Sequence, residues 1–155
     1  MSACAKPKIC GLGLYDYTCD HLDNINGKIL EFDNSARMDT VLAHIQVEVL
    51  ETYRESEREG IVGATVFVQN INVDSLRQGN VTDFEGMTDF YVEPGDYDLY
   101  ISFIGYNTLI VQSLSLKSGM VMELKAVMGD GCGRNTFRLT DGNRLEEILP
   151  SQNSK

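Results

Sequence analysis

From Ile61 to Leu124 the chain alternates apolar and polar residues in short runs, and turn residues divide the runs. That period of two is what half-buried β-strands require, because successive side chains point to opposite faces. Ala64, Val66 and Val68 form one inward set, with Thr65 and Gln69 outward. Thr88, Phe90 and Val92 form the next. Tyr97, Leu99, Ile101 and Phe103 line one face of the strongest strand, and Met120, Met122 and Leu124 line that of the last. Leu109 to Leu116 reads as a strand of less regular period. Upstream, Thr40 to Thr52 also reads as a strand. Ile45, Val47 and Val49 recur at every second position, and β-branching favours strand over helix. Single apolar faces of this kind need a partner. The expectation is therefore two antiparallel sheets of about seven strands in all, packed face to face around one core.

Turn chemistry separates the strands. RESEREG, from Arg54 to Gly60, suits an exposed hairpin loop. In VTDFEG, Asp83 can accept bonds from amides two residues on, and Gly86 can take a positive φ. In EPGDY, Pro94 and Gly95 suit a type II turn. Gly105 ends the long strand in a further turn. The 72–79 stretch reads as a polar loop. Outside the centre the pattern weakens. Residues 1–39 read as an N-terminal arm with a short strand at Lys28 to Phe32. Residues 40–128 form the sandwich, and residues 129–155 a glycine-rich linker and tail. In that tail Asp141 or Asn143 could cap a helical turn over Arg144 to Leu149.

The 155 residues carry 13 Lys plus Arg against 23 Asp plus Glu, a formal net charge of -10. Such a surface disfavours a phosphate-backbone partner, and no basic patch interleaved with aromatics points to nucleic acid. No apolar run reaches the length of a membrane span. Four cysteines, Cys4, Cys10, Cys19 and Cys132, lie outside the strand-rich centre without zinc-site spacing. Free thiols are the simplest expectation. In an exported protein, Cys132 would instead tether the tail to one of the early three. Met1-Ser2-Ala3-Cys4 matches the end of a bacterial lipoprotein signal but lacks the preceding apolar region. An ordinary cytoplasmic start is the plainer reading, and lipidation of Cys4 the alternative.

Six features occur in order: Gly63-Ala64, Thr82-Asp83, Gly86, Pro94-Gly95, Tyr97 and Gly105-Tyr106. With the alternating strands between them, they make the central stretch resemble the carboxypeptidase regulatory-like domains. The resemblance covers about half the chain and implies a prealbumin/transthyretin-like β-sandwich, here with N- and C-terminal extensions. It departs from the family in the longer charged connection TYRESEREG, in the arm and in the tail. Domains of this kind accompany peptidases, precede outer-membrane transporters or occur in surface proteins, and are not the catalytic part. Fold alone does not decide among such roles.

Candidate chemistry is sparse. His44 falls on the wet face of its strand and reads as a lone surface histidine. His21 lies among Asp16, Cys19, Asp20 and Asp23 in the arm, a weak cation-binding pattern. Asp83, Glu85 and Asp89 fall short of the six or more oxygens of a calcium loop. No metal and no cofactor is expected. Phe67, Tyr91 and Tyr100 stand on the faces opposite their strands' core sets. Such aromatics suit a binding surface, although cover by the arm or tail is the simpler explanation. The sequence thus points to a non-catalytic module of a bacterial envelope or surface protein, in periplasmic or surface location if a signal was removed. Its partners would be proteins, with membrane attachment through Cys4 and oligomerisation through the arm as further routes. The alternative is a carbohydrate- or peptide-binding module using the 72–79 loop and the outward aromatics.

Overall fold

The computed structural model describes residues 8–10, 14–16, 26–53, 57–141 and 143–149. Among them there are thirteen strands and no helix. Lys8–Cys10 (β1) and Leu14–Asp16 (β2) form a small antiparallel pair. The other eleven build two sheets. The five-stranded sheet contains Lys28–Arg37 (β3), Ala43–Tyr53 (β4), Glu57–Gly60 (β5), Met87–Val92 (β8) and Met120–Met128 (β11). Its order is β3-β11-β4. The far side of β4 is shared by β8, along Ala43 to Glu48, and β5, along Leu50 to Tyr53. The six-stranded sheet contains Thr65–Asn70 (β6), Arg77–Val81 (β7), Gly95–Ser102 (β9), Thr108–Leu116 (β10), Arg134–Thr140 (β12) and Arg144–Ile148 (β13), in the order β13-β12-β10-β9-β6-β7.

The inner faces share one core, which gives a sandwich-like arrangement. Ile45, Val47 and Val49 of β4 and Met122 of β11 are fully buried, as are Val66, Val68, Leu99 and Ile101 of the six-stranded sheet. The alternation in the sequence maps directly onto this core. Thr88, Phe90 and Val92 are buried, with Met87, Asp89 and Tyr91 exposed between them. Full burial of each aliphatic side chain contributes about 1.5–3 kcal/mol. Phe103 lies beyond the end of β9 and is half-buried against the core rather than inside it.

Both sheets are mixed, which corrects the expectation of antiparallel pairing throughout. β11 runs parallel to β4, and β12 runs parallel to β10. β11 enters between two strands from the start of the chain, and its direction is set by antiparallel pairing with β3. The tail also differs from expectation. In place of a linker and a helical turn it supplies β12 and β13 to the six-stranded sheet. The chain reverses between the paired residues Thr140 and Arg144, with Asp141 in the left-handed region at φ 46°. The residues that resembled a helix cap belong to a hairpin. Part of the 72–79 stretch is strand as well, because Arg77 begins β7.

Pro94-Gly95 does not make a type II turn, since that turn needs a positive φ at its third residue and Gly95 has none. Gly95 is the first residue of β9, and space explains it. A Cβ there would lie 3.1 Å from both the Tyr97 ring and Asn70 Nδ2. The irregular period of β10 also has a local cause. Its register with β9 shifts between Val111 and Leu114, where Ser113 takes φ 64°. Cys132 is disulfide-bonded, so the expectation of free thiols does not hold there. The side chains of Cys4, Cys10 and Cys19 lie outside the described residues.

Candidate functional site

The turn residues singled out in the sequence are occupied by structural bonds. Asp83 Oδ1 accepts from the amides of Glu85 and Met87, each at 2.9 Å. Buried Thr82 accepts from Ala64 N at 2.9 Å and donates to Ile61 O. Gly86 closes this turn at φ 78°, and a Cβ there would lie 2.4 Å from Val49 O. Tyr97 donates from its hydroxyl to Glu93 O at 2.9 Å, fixing the corner that Pro94 opens. Gly105 takes φ 87° in the turn closed by Tyr106 N and Phe103 O.

The three outward aromatics divide between opposite outer faces. Phe67 and Tyr100 are cross-strand partners on the six-stranded sheet. Their rings stack with centroids 4.9 Å apart and planes 9° from parallel. Arg77, on the neighbouring edge strand, lies 4.5 Å above the Phe67 ring and donates from Nε to Gln69 Oε1 at 3.0 Å. Since β6 lies between β7 and β9, one face of Phe67 meets the guanidinium and the other meets Tyr100. Beyond Tyr100 comes its partner on β10, buried Ile110.

Tyr91 stands on the five-stranded sheet. It stacks on its cross-strand partner His44 with centroids 4.3 Å apart and planes 7° from parallel. His44 Nε2 lies 2.8 Å from Asp89 Oδ2. The lone surface histidine expected from the strand period is therefore only 7% exposed, covered by the Tyr91 ring and bonded to a carboxylate. Tyr91 itself remains 40% exposed, and β8 pairs only with β4 among the described strands.

The same face carries two cross-strand rows. Asp33, Glu123, Gln46 and Asp89 form one; Glu31, Lys125, Glu48 and Met87 form the other. Together they place five carboxylates beside one ammonium. Lys125 Nζ pairs with Glu48 Oε2 at 3.1 Å. Ser35 donates to Asp33 Oδ1 from its hydroxyl at 2.6 Å and from its amide at 2.8 Å, which holds that carboxyl below its usual range. A shallow depression of about 250 Å³ opens over the rows, with Met87, Phe32 and Leu124 among its lining. Chemically it is a negatively charged, partly apolar patch. Among the described residues, no group of three or more His, Cys, Asp or Glu side chains is arranged to hold a metal ion. Asp83 lies in the neighbouring depression with Asp89, and Glu85 is not part of its lining.

One further polar contact links the sheets. Tyr106, in the turn after β9, donates to Glu51 Oε2 of β4 at 2.5 Å. Burial first, and then the Glu51 carboxylate, push the Tyr106 phenol well above its ordinary range. Sequence reasoning placed Tyr106 in a turn but had no means of finding its acidic partner 55 positions away. The cover over His44 was legible in principle. An aromatic on the wet face of the adjacent strand, at the right register, is the signal, and register is what a single sequence withholds. Cys4, Cys19 and His21 lie outside the described residues.

No family model matches this chain, and no curated protein matches it.

Proposed function

We propose that this chain is a non-catalytic β-sandwich module of a bacterial cell envelope, related in fold to the carboxypeptidase regulatory-like, transthyretin-like domains. It acts in protein–protein contact or structural support. The observation that carries the reading is the employment of the resembling residues. Thr82, Asp83, Gly86, Gly95, Tyr97 and Gly105 are all spent on turns, corners and close packing, as a scaffold requires. The bonded state of Cys132 supports an oxidising compartment. The acidic outer face of the five-stranded sheet, with Tyr91 open at its edge, is the contact surface, and its partner is a protein with a basic patch.

A carbohydrate platform is the weaker alternative. Sugar-stacking surfaces need a free aromatic face, and Phe67 offers neither of its own. The deciding experiment is the intact mass of the protein from its native host, with and without reductant. A lipid adduct on Cys4 together with a mass gain on reduction is expected. A chain without lipid and with four free thiols would sink the envelope reading.

A further inference from the structure

Three turns lie side by side at one end of the sandwich. Val62-Gly63 lies between β5 and β6, Asp83 to Gly86 between β7 and β8, and Phe103 to Tyr106 comes after β9. Gly63 N donates to Thr82 O at 3.0 Å, which joins the first turn to the second. The Cβ position of Gly63 lies 4.0 Å from the Phe103 ring, which joins it to the third. All three share one construction. A left-handed glycine, Gly63 at φ 81°, Gly86 at 78° and Gly105 at 87°, bends the chain one or two residues after an apolar residue in the turn. Those residues are Val62, Phe84 and Ile104, at 49%, 92% and 70% exposure. Backbone and Asp83 bonds within the turns satisfy Gly86 N, Glu85 N and Tyr106 N. The turns can therefore leave water without stranding these amides.

We propose that this end docks on a lipid surface with neutral headgroups, with Val62, Phe84 and Ile104 entering the interfacial layer. The shape favours lipid over a protein pocket. The apolar groups are separate knobs on projecting turns, and a fluid interface accommodates these where a fixed groove needs one continuous ridge. Phenylalanine and aliphatic side chains gain from that layer through burial alone. Chain direction favours it as well. Gly27 N bonds to Asn135 Oδ1 at 2.9 Å, and β3 starts beside Val127, so the chain before Asn26 joins the sandwich at this same end. A lipid on Cys4, for which the inference rests on the function proposed above, would hold this end toward the bilayer and raise its effective concentration there. Asp83, Glu85 and Asp130 flank the turns and would be repelled by anionic headgroups.

The opposite end supplies the control. That end also exposes apolar side chains, Met38, Val41, Ile71, Val73 and Leu76, with Val41 the most open at 74%, but its loops, 38–42, 71–76, 93–94, 117–119 and 141–143, hold no aromatic residue and lie away from the point where the N-terminal chain joins. Because the chain has no tryptophan, Phe84→Trp and Val41→Trp each introduce a single reporter. Both proteins would carry an N-terminal hexahistidine tag and be tethered to phosphatidylcholine vesicles through a nickel-chelating lipid. With Phe84→Trp, emission should move to shorter wavelength on tethering and be quenched by brominated phosphatidylcholine. Adding Ile104→Ser should weaken both effects, and replacing half the phosphatidylcholine with phosphatidylglycerol should weaken them too. Val41→Trp should show neither. Unchanged Phe84→Trp emission, equal responses at both ends, or a shift that tracks protein concentration without vesicles (a second copy covering the turns) would each overturn the proposal. The tether is artificial, so the result is independent of whether Cys4 is lipidated in the host.

Discussion

The two outer faces of the sandwich use one device to different ends. Each stacks a pair of rings across neighbouring strands, Phe67 on Tyr100 and His44 on Tyr91. On the six-stranded sheet the stack lies inside a longer row, with Arg77 over one end and buried Ile110 beyond the other. On the five-stranded sheet the stack stops at the sheet edge, where Tyr91 keeps an open side and the neighbouring rows are carboxylates. Cross-strand pairing therefore does not by itself mark either a site or a core. The next residue along the row decides whether the aromatic is enclosed by the fold or left open to solvent.

Both faces rest on the same interior, and the most disruptive substitution tests that. Ile101 is fully buried on β9, in the core on the face opposite Tyr100. Ile101→Asn should lower the unfolding free energy by about 4 kcal/mol, through lost burial and an unpaired amide. Both ring stacks should be lost in one transition. An unchanged denaturant midpoint would refute the core assignment. Next in size is the closed stack. Phe67→Ala should cost about 2–3 kcal/mol, since it removes a half-buried ring and uncovers Tyr100 and Arg77 together.

A smaller effect comes from the contact between the sheets. Tyr106→Phe should cost about 1 kcal/mol at neutral pH, the net value of its bond to Glu51. The raised phenol sets the sign of the pH dependence. Folded Tyr106 holds its proton at a pH where the unfolded chain releases it, so the unfolded state binds fewer protons and stability falls as pH rises above about 10. Denaturant titrations from neutral to alkaline pH should show that decline in the wild-type protein and less of it in the variant. Parallel curves would refute the contact. The smallest effect belongs to the open stack. Tyr91→Ala should cost about 1 kcal/mol or less in stability, while weakening any partner that uses the acidic face. A loss as large as that of Phe67→Ala would make both stacks structural and end the contrast.

Much of this architecture is legible in sequence, for a reason visible in β6, β8 and β9. Each buries one face only, so burial is written as alternation. Alternation fades where that condition fails. β7 is exposed along its whole length, so its residues read as a loop. β12 buries three consecutive residues, Asn135, Thr136 and Phe137, two of them polar, and shows no period. β13 begins after residues that would also cap a helix, and only pairing with β12 chooses between the two. Pro94-Gly95 is ambiguous for another reason. A glycine required by a neighbouring ring looks, in sequence, like a glycine required by φ. Partnerships such as His44 with Asp89 and Tyr106 with Glu51 depend on register and on sheet-to-sheet contact, which a linear pattern does not record.

The placement of β11 has a consequence for how the molecule is made. β3 and β4 are synthesised early, yet each pairs with β11, whose residues emerge only after Met120. The bond from Gly27 to Asn135 closes a span of 108 positions. A nascent chain leaving the ribosome therefore carries two long β-strands with no β11 to pair with until most of the protein has been translated. Such late closure is slow and leaves strand edges open to other chains. A polypeptide that cannot complete its sheet before its final quarter appears stays extended, and its assembly begins in earnest only once Met120–Met128 is available.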